Sequence, residues 1–164
     1  MPINLKNILI LQLIAIFCAM LNLSNIKIDY IADFLPLFDV MMIYHFTILR
    51  PGVFPVWFLF VMGLISDAIA GFPLGITALS YIIAVKLFVN LRERILRKQN
   101  FEQIFGQFIA FTLVILVLKW LMLSLYYVRI YSFLGPLIQL IITSIFYIFL
   151  CRAFNYLDKK LVNA

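Results

Sequence analysis

The sequence predicts an all-α integral membrane protein, in which six transmembrane helices form one bundle and both termini are cytoplasmic. The first observation is composition: 66% of the 164 residues are hydrophobic, only 12% are charged, and the mean hydropathy is +1.12. Soluble domains carry about a quarter charged residues. The second observation is that the apolar residues fall into six segments. The third is an uneven distribution of lysine and arginine along the chain.

Six apolar segments give the predicted helices, since a membrane-spanning helix needs about 20 predominantly apolar residues. Residues typical of helix ends mark several breaks: Asp33 and Pro36 are start signals for the second helix, and Gly71 and Pro73 stop the third. The second and fourth segments are short, so we expect them to extend into the interface or to thin the bilayer locally. The predicted spans cover residues 8–23, 34–49, 53–70, 76–91, 103–128 and 133–154.

Lysine and arginine predict the orientation, because cytoplasmic loops of membrane proteins carry an excess of both. With the N-terminus inside, only Lys27 and Arg129 lie on the outer side, while Lys86 and Lys119 lie within helices. Nine cations then lie on the cytoplasmic side, which predicts six spans with both termini in the cytoplasm. These nine are Lys6, Arg50, Arg92, Arg94, Arg97, Lys98, Arg152, Lys159 and Lys160.

Asp67 is the residue that most needs an explanation. It stands about one turn before the end of the third helix, where the helix dipole disfavours an anion. Ionisable groups at such depth usually face the bundle interior and find a partner. Counted at about 1.5 Å per residue, Asp67 lies roughly 20 Å from the cytoplasmic edge of the membrane, and Lys119 of the fifth helix lies at a similar height. We therefore predict a buried Asp67–Lys119 pair.

Two alternatives to this pair stay open. In the first alternative, Asp67 is protonated and hydrogen-bonded to neighbouring backbone, while the Lys119 side chain extends outward along the helix surface. In the second, the two residues take part in transport, since intramembrane charges often mark an ion or substrate path.

Asp39 and His45 have simpler explanations. Asp39 lies in the first turn of the second helix, where the helix dipole favours an anion. His45 is the only histidine of the chain, so we expect a neutral, hydrogen-bonded core residue and no metal site.

Small residues recur on one face of the third helix, with Gly63, Asp67 and Gly71 four residues apart and Ser66 beside them. Such faces let helix backbones approach closely in lipid. We expect this face to pack inside the bundle, or alternatively to receive the transmembrane helix of a partner. The residues assigned to this packing and partner face are Gly63, Ser66, Gly71, Pro73 and Gly75.

A basic loop is predicted after the fourth helix, formed by Arg92, Arg94, Arg97 and Lys98. Anionic lipid headgroups attract such a loop, and a cytoplasmic protein partner is the alternative. Because membrane topology already accounts for the basic residues, we expect no nucleic acid as a partner.

Catalysis is not indicated. The sequence has no Gly-x-Ser-x-Gly motif, no Walker loop and no His-Glu-x-x-His motif, and a lone histidine is weak evidence for a nucleophilic site. We therefore expect a protein that is not an enzyme and needs no cofactor.

Two stretches between residues 35 and 79 form a recognisable pattern, "LPLFDVMMIYHFTILRPG" and "FVMGLISDAIAGFPLGITAL". With this pattern, residues 35–79 resemble the MreD family of rod shape-determining proteins from bacterial inner membranes. His45 departs from the family pattern, in which an aromatic residue is more usual, and the C-terminal half shows no family signature. The matching positions are Asp39, Ile43, Tyr44, Gly63, Asp67, Gly71, Leu74, Gly75, Ala78 and Leu79.

The resemblance implies a non-enzymatic component of the cell-elongation machinery. It implies MreC as the direct partner and, through MreC, the actin-like MreB, the glycosyltransferase RodA and its transpeptidase. It also implies a fold similar to the six-helix substrate-binding subunits of energy-coupling-factor transporters. We expect Gly71, Pro73 and Gly75 to turn the chain sharply, with Asp67 anchoring this corner by an internal polar contact.

The shared six-helix arrangement makes a vitamin-binding transporter subunit the alternative function. Such a protein needs a cavity with several aromatic and hydrogen-bonding groups. Tyr126, Tyr127, Arg129 and Tyr131 are the candidates for these groups.

Overall fold

Six α-helices make up the chain in a computed structural model, which describes residues 5–22, 35–49, 52–97, 101–129 and 132–162. The described residues contain no β-strand, so the all-α prediction is confirmed. The helices are α1 (Leu5–Asn22), α2 (Phe38–Leu49), α3 (Val56–Ala70), α4 (Ile76–Arg97), α5 (Phe101–Tyr126) and α6 (Leu134–Val162).

Two helices continue beyond the ends that hydropathy predicts. α4 ends at Arg97 rather than near residue 91, and α6 ends at Val162 rather than near residue 154. The added turns are rich in arginine, leucine and lysine, which have high helix propensity. Hydropathy therefore predicts where the apolar part of each helix ends. The helix itself continues beyond that point because the following residues favour helical backbone.

α2 is the central helix of the bundle. It packs against α1, α4, α5 and α6, and every residue from Val40 to Thr47 is buried. A helix that is apolar on all sides is expected to be enclosed by other elements. The neighbouring helices therefore surround α2, whose 12 residues extend only about 18 Å.

Aromatic side chains fill the space between α2, α5 and α6. The rings of Phe108 and Tyr147 stack with centroids 3.9 Å apart, and Tyr44 packs edge-on against both. The Tyr44 hydroxyl donates to the Ile104 carbonyl oxygen at 2.8 Å. A buried tyrosine usually finds such a partner, and this one ties the middle of α2 to the first part of α5.

Side chains also bind the backbone on either side of α2. Before the helix, the Leu37 N–H donates to the Thr143 hydroxyl at 3.2 Å, and the Gln139 amide donates to the Leu35 carbonyl at 3.4 Å. After it, the Gln12 amide donates to the Val53 carbonyl at 3.0 Å. These bonds matter because non-helical backbone in apolar surroundings needs hydrogen-bond partners from the protein.

Among the residues that the structure describes, two helices are long and apolar enough to cross a membrane, namely Glu102–Tyr126 and Leu134–Phe154. Three shorter helices are also apolar: Lys6–Met20, Val56–Ala70 and Ile76–Asn90. Large apolar side chains on the outside of the bundle are exposed, among them Phe17, Trp57 and Phe149. Extensive exposed apolar surface is typical of proteins that contact a membrane or a partner.

α3 and α4 approach each other most tightly at Gly63. A Cβ atom built on this residue would lie 2.3 Å from the Ala78 Cα atom and 2.4 Å from the Ala78 backbone nitrogen. No side chain can occupy this space unless the two backbones separate. Gly63 therefore sets the distance between α3 and α4.

We expect Gly63→Ala to lower the free energy of unfolding by about 1–3 kcal/mol, the usual cost of overpacking a filled interior. Thermal denaturation of the detergent-solubilised protein measures this loss. Gly106→Ala in α5 is the matched control, because a Cβ there meets nothing within 4 Å and alanine favours helix. Equal stability of the two variants would contradict the close approach.

The end of α5 contains a strained residue. Val128 has φ +49°, and the Arg129 N–H beyond it donates to the Ser124 carbonyl at 3.1 Å. This is the helix-ending position that glycine usually occupies. The valine side chain is 92% exposed, so no burial of this side chain offsets the strain of its backbone.

Val128→Gly is expected to raise the free energy of unfolding by about 1 kcal/mol, because glycine adopts a positive φ without the steric cost of a β-branched side chain. Leu125→Gly, inside the last turn of α5, is expected to lower it by about 1 kcal/mol. Both are measured as shifts in melting temperature, and a loss of stability in Val128→Gly would refute the assignment of strain.

Candidate functional site

The corner between α3 and α4 begins with a left-handed glycine. Gly71 has φ +70° and its N–H donates to the Asp67 carbonyl oxygen. The next N–H, that of Phe72, donates to the same oxygen at 3.0 Å. Both bonds go to a carbonyl oxygen in the last turn of α3, where carbonyl groups have no hydrogen-bond partner within the helix. The backbone of Asp67 therefore closes α3.

The side chain of Asp67 caps the start of α4. Its Oδ2 atom accepts from the Gly75 N–H at 2.8 Å, and the Thr77 N–H lies 3.1 Å from both carboxylate oxygens. Asp67 is fully buried. The first N–H groups of a helix have no partner within the helix, and its N-terminus carries partial positive charge. The buried carboxylate meets both requirements.

One residue thus joins two helices, by its carbonyl at the end of α3 and its carboxylate at the start of α4. Asp67 lies at the unfavourable end of its own helix dipole. The structure shows the compensation, because the start of the following helix supplies the positive potential. The expected internal polar contact is therefore made to the N–H groups of Gly75, just before α4, and of Thr77 in its first turn.

The Asp67–Lys119 pair stays a prediction. Within the described residues, the Asp67 oxygens accept from backbone N–H groups, and the Lys119 ammonium lies 5.7 Å from the centroid of the Phe72 ring. Phe72 follows the end of α3, so Lys119 lies near the corner. The start of α4 already supplies hydrogen-bond donors to the carboxylate.

Asp39 forms a second polar link to α4. Its Oδ1 atom accepts from the Val40 N–H at 2.8 Å, and its Oδ2 atom accepts from the Tyr81 hydroxyl. Asp39 and Tyr81 are both buried. First-turn stabilisation was the whole expected role of Asp39, and Tyr81 was missed. The available signal was a tyrosine inside an apolar helix, since its buried hydroxyl needs a partner.

The small residues of α3 face inward. Gly63 and Ser66 are buried, with Gly63 against Ala78 of α4. Gly71 is exposed at the corner, while Pro73 and Gly75 are half-buried there. The Gly63–Ser66 side of α3 therefore packs inside the bundle and is not open to a partner helix.

The basic segment predicted as a loop is largely helical. Arg92, Arg94 and Arg97 lie in the last turns of α4, and Lys98 lies outside the described residues. Glutamate, arginine and leucine continue the helix because their helix propensities are high. The cations therefore follow the helical repeat and do not form an irregular loop.

The remaining candidates are His45 and the residues at the end of α5. The His45 Nδ1 atom is 3.4 Å from the Tyr147 hydroxyl, and its ring packs on Phe154, which fits the expected core histidine. Tyr126, Tyr127 and Arg129 are exposed. Tyr131 lies outside the described residues.

We expect Asp67→Leu to destabilise the protein by about 1–3 kcal/mol for each buried N–H group that it leaves unpaired. Asp67→Asn keeps one acceptor oxygen and should lose less. Lys119→Met should lose only about 0.5–2 kcal/mol, the range of a cation–π contact. Melting temperatures in detergent rank the three variants, and a loss in Lys119→Met as large as that in Asp67→Leu would support the Asp67–Lys119 pair.

No protein-family model, curated protein or solved structure matches the chain. Its function is therefore inferred from the corner and from the sequence motif that encodes it.

Proposed function

We propose that the chain is a non-enzymatic scaffold of the bacterial rod shape-determining machinery, related to MreD and located in the inner membrane with six spans and cytoplasmic termini. One observation carries the proposal most directly. The residues that resemble the MreD family in α3 and α4 are the residues that build the corner. Gly63 sets the helix distance, Asp67 links the two helices, and Gly71 and Gly75 adopt positive φ angles.

A six-span arrangement accommodates the short helices. α2 extends only about 18 Å, less than the hydrocarbon core of about 30 Å. Its neighbours shield it from lipid, and side chains of α6 bind the backbone at residues 35–37. Irregular backbone at membrane depth is tolerated where protein buries it. The excess of cations on one side then sets the orientation.

A scaffold needs a rigid surface, and the corner supplies one. Asp67 and the Gly63–Ala78 contact hold α3 and α4 as a unit. Phe72 and Leu74 are exposed at its tip. We place the partner at this tip and on the outward side of α3, where Trp57 and Phe60 are exposed, because the small-residue side of α3 is used within the bundle.

The partner that we propose is MreC, with MreB, RodA and the transpeptidase acting through it. A non-enzymatic role agrees with the use of the buried carboxylates, since Asp67 and Asp39 are both engaged in bonds that join helices. The vitamin-binding alternative requires Tyr126, Tyr127 and Arg129 to close around a ligand, and all three are exposed.

Gly71→Val and Gly75→Val should reduce recovery of MreC in co-purification from membranes by about tenfold or more, because a valine at φ +70° or +104° strains the corner by about 1–3 kcal/mol. Gly106→Val is the matched control, since a Cβ at Gly106 meets nothing within 4 Å and the φ of this residue is not positive. Unchanged recovery of MreC with either corner variant at equal expression would contradict the proposal.

Leu74→Asn separates binding from folding, because Leu74 is exposed at the tip of the corner. This variant should keep the melting temperature of the wild type and no longer recover MreC in co-purification.

Depletion of the protein followed by microscopy tests the function itself. Rods that become spheres support the scaffold, whereas vitamin dependence with unchanged shape supports the transporter subunit.

A further inference from the structure

One side of α4 faces away from the bundle and changes character along its length. Leu79, Ile83, Lys86 and Asn90 are all exposed. Their spacing of three or four residues puts them on one face of the helix. The first two are apolar and the next two are polar, so the face has an apolar half that begins near the corner and a polar half farther along.

Lys86 is the unusual member of this face. It is an exposed lysine within an otherwise largely apolar part of the helix. A lysine that faces hydrocarbon is costly at the centre of a bilayer. The apolar part of α4 runs from Ile76 to Asn90, and Lys86 lies about 6 Å before its end. A lysine stem covers that distance, which brings the ammonium to the membrane surface.

The helix that carries this face continues into a basic stretch of sequence. α4 extends to Arg97, and its last turns hold Arg92, Arg94 and Arg97 with one acidic residue, Glu93. An excess of basic residues therefore follows this face in the sequence.

We propose that this face binds one anionic phospholipid, with its phosphate at Lys86 and Asn90 and an acyl chain along Leu79 and Ile83. The ammonium group binds phosphate as a point charge, and the amide adds a neutral donor. Anionic headgroups attract cations near the membrane surface, and the exposed apolar side chains match an acyl chain. The proposal depends on a membrane location and not on the scaffold role.

Titration of the purified full-length protein in detergent tests the site. Dioleoyl-phosphatidylglycerol should raise the melting temperature more than dioleoyl-phosphatidylcholine does. Lys86→Gln should weaken the phosphatidylglycerol effect so that about fivefold more lipid is needed for the same shift. The lipid-free melting temperature of this variant should match that of the wild type, because Lys86 is exposed.

Arg152→Gln on α6 is the matched control, since Arg152 is also an exposed cation. It should keep the wild-type response to phosphatidylglycerol. Three outcomes would overturn the proposal: an unchanged response in Lys86→Gln, an equal loss in Arg152→Gln, or the same stabilisation by inorganic phosphate alone. Loss of MreC binding in the corner variants with an intact lipid response separates this proposal from the proposed function.

Discussion

The need to satisfy backbone groups at the ends of buried helices is the constraint on which this fold depends most. At the α3–α4 corner, Asp67 meets it in both directions, because its carbonyl accepts from Gly71 and Phe72 while its carboxylate accepts from Gly75 and Thr77. An unpaired buried N–H costs about 1–3 kcal/mol. A single side chain therefore fixes where one helix ends, where the next begins and how the two are oriented.

Hydrogen bonds between helices and close packing also hold the rest of the bundle around α2. Apolar burial gives little directional preference between helices in lipid, so association depends on close packing and interhelical hydrogen bonds. α2 has both, through the link from Asp39 to Tyr81, the link from Tyr44 to Ile104 and the aromatic contacts with Phe108 and Tyr147. These contacts specify one arrangement among the many that six apolar helices could adopt.

The buried polar groups described above lie between helices, whereas the outer surface of the bundle carries different residues. Buried carboxylates and small residues hold helices together, so they are not free for partners. The surfaces left exposed are apolar side chains at the corner tip, as at Leu74, and the face of α4 that carries Lys86. We therefore assign the proposed partner and the proposed lipid to these exposed surfaces.

The amino-acid sequence by itself determined the six helices, the glycines that end or begin them and the position of Asp67 near the end of its helix, because hydropathy and turn residues are local properties. It also placed Lys119 near the corner. Only the tertiary structure decided that Asp67 caps α4, that Tyr81 binds Asp39 and that α2 is central. Counting residues along a helix gives the height of a side chain but not the direction in which it points. Partners across helices depend on that direction, and packing fixes it.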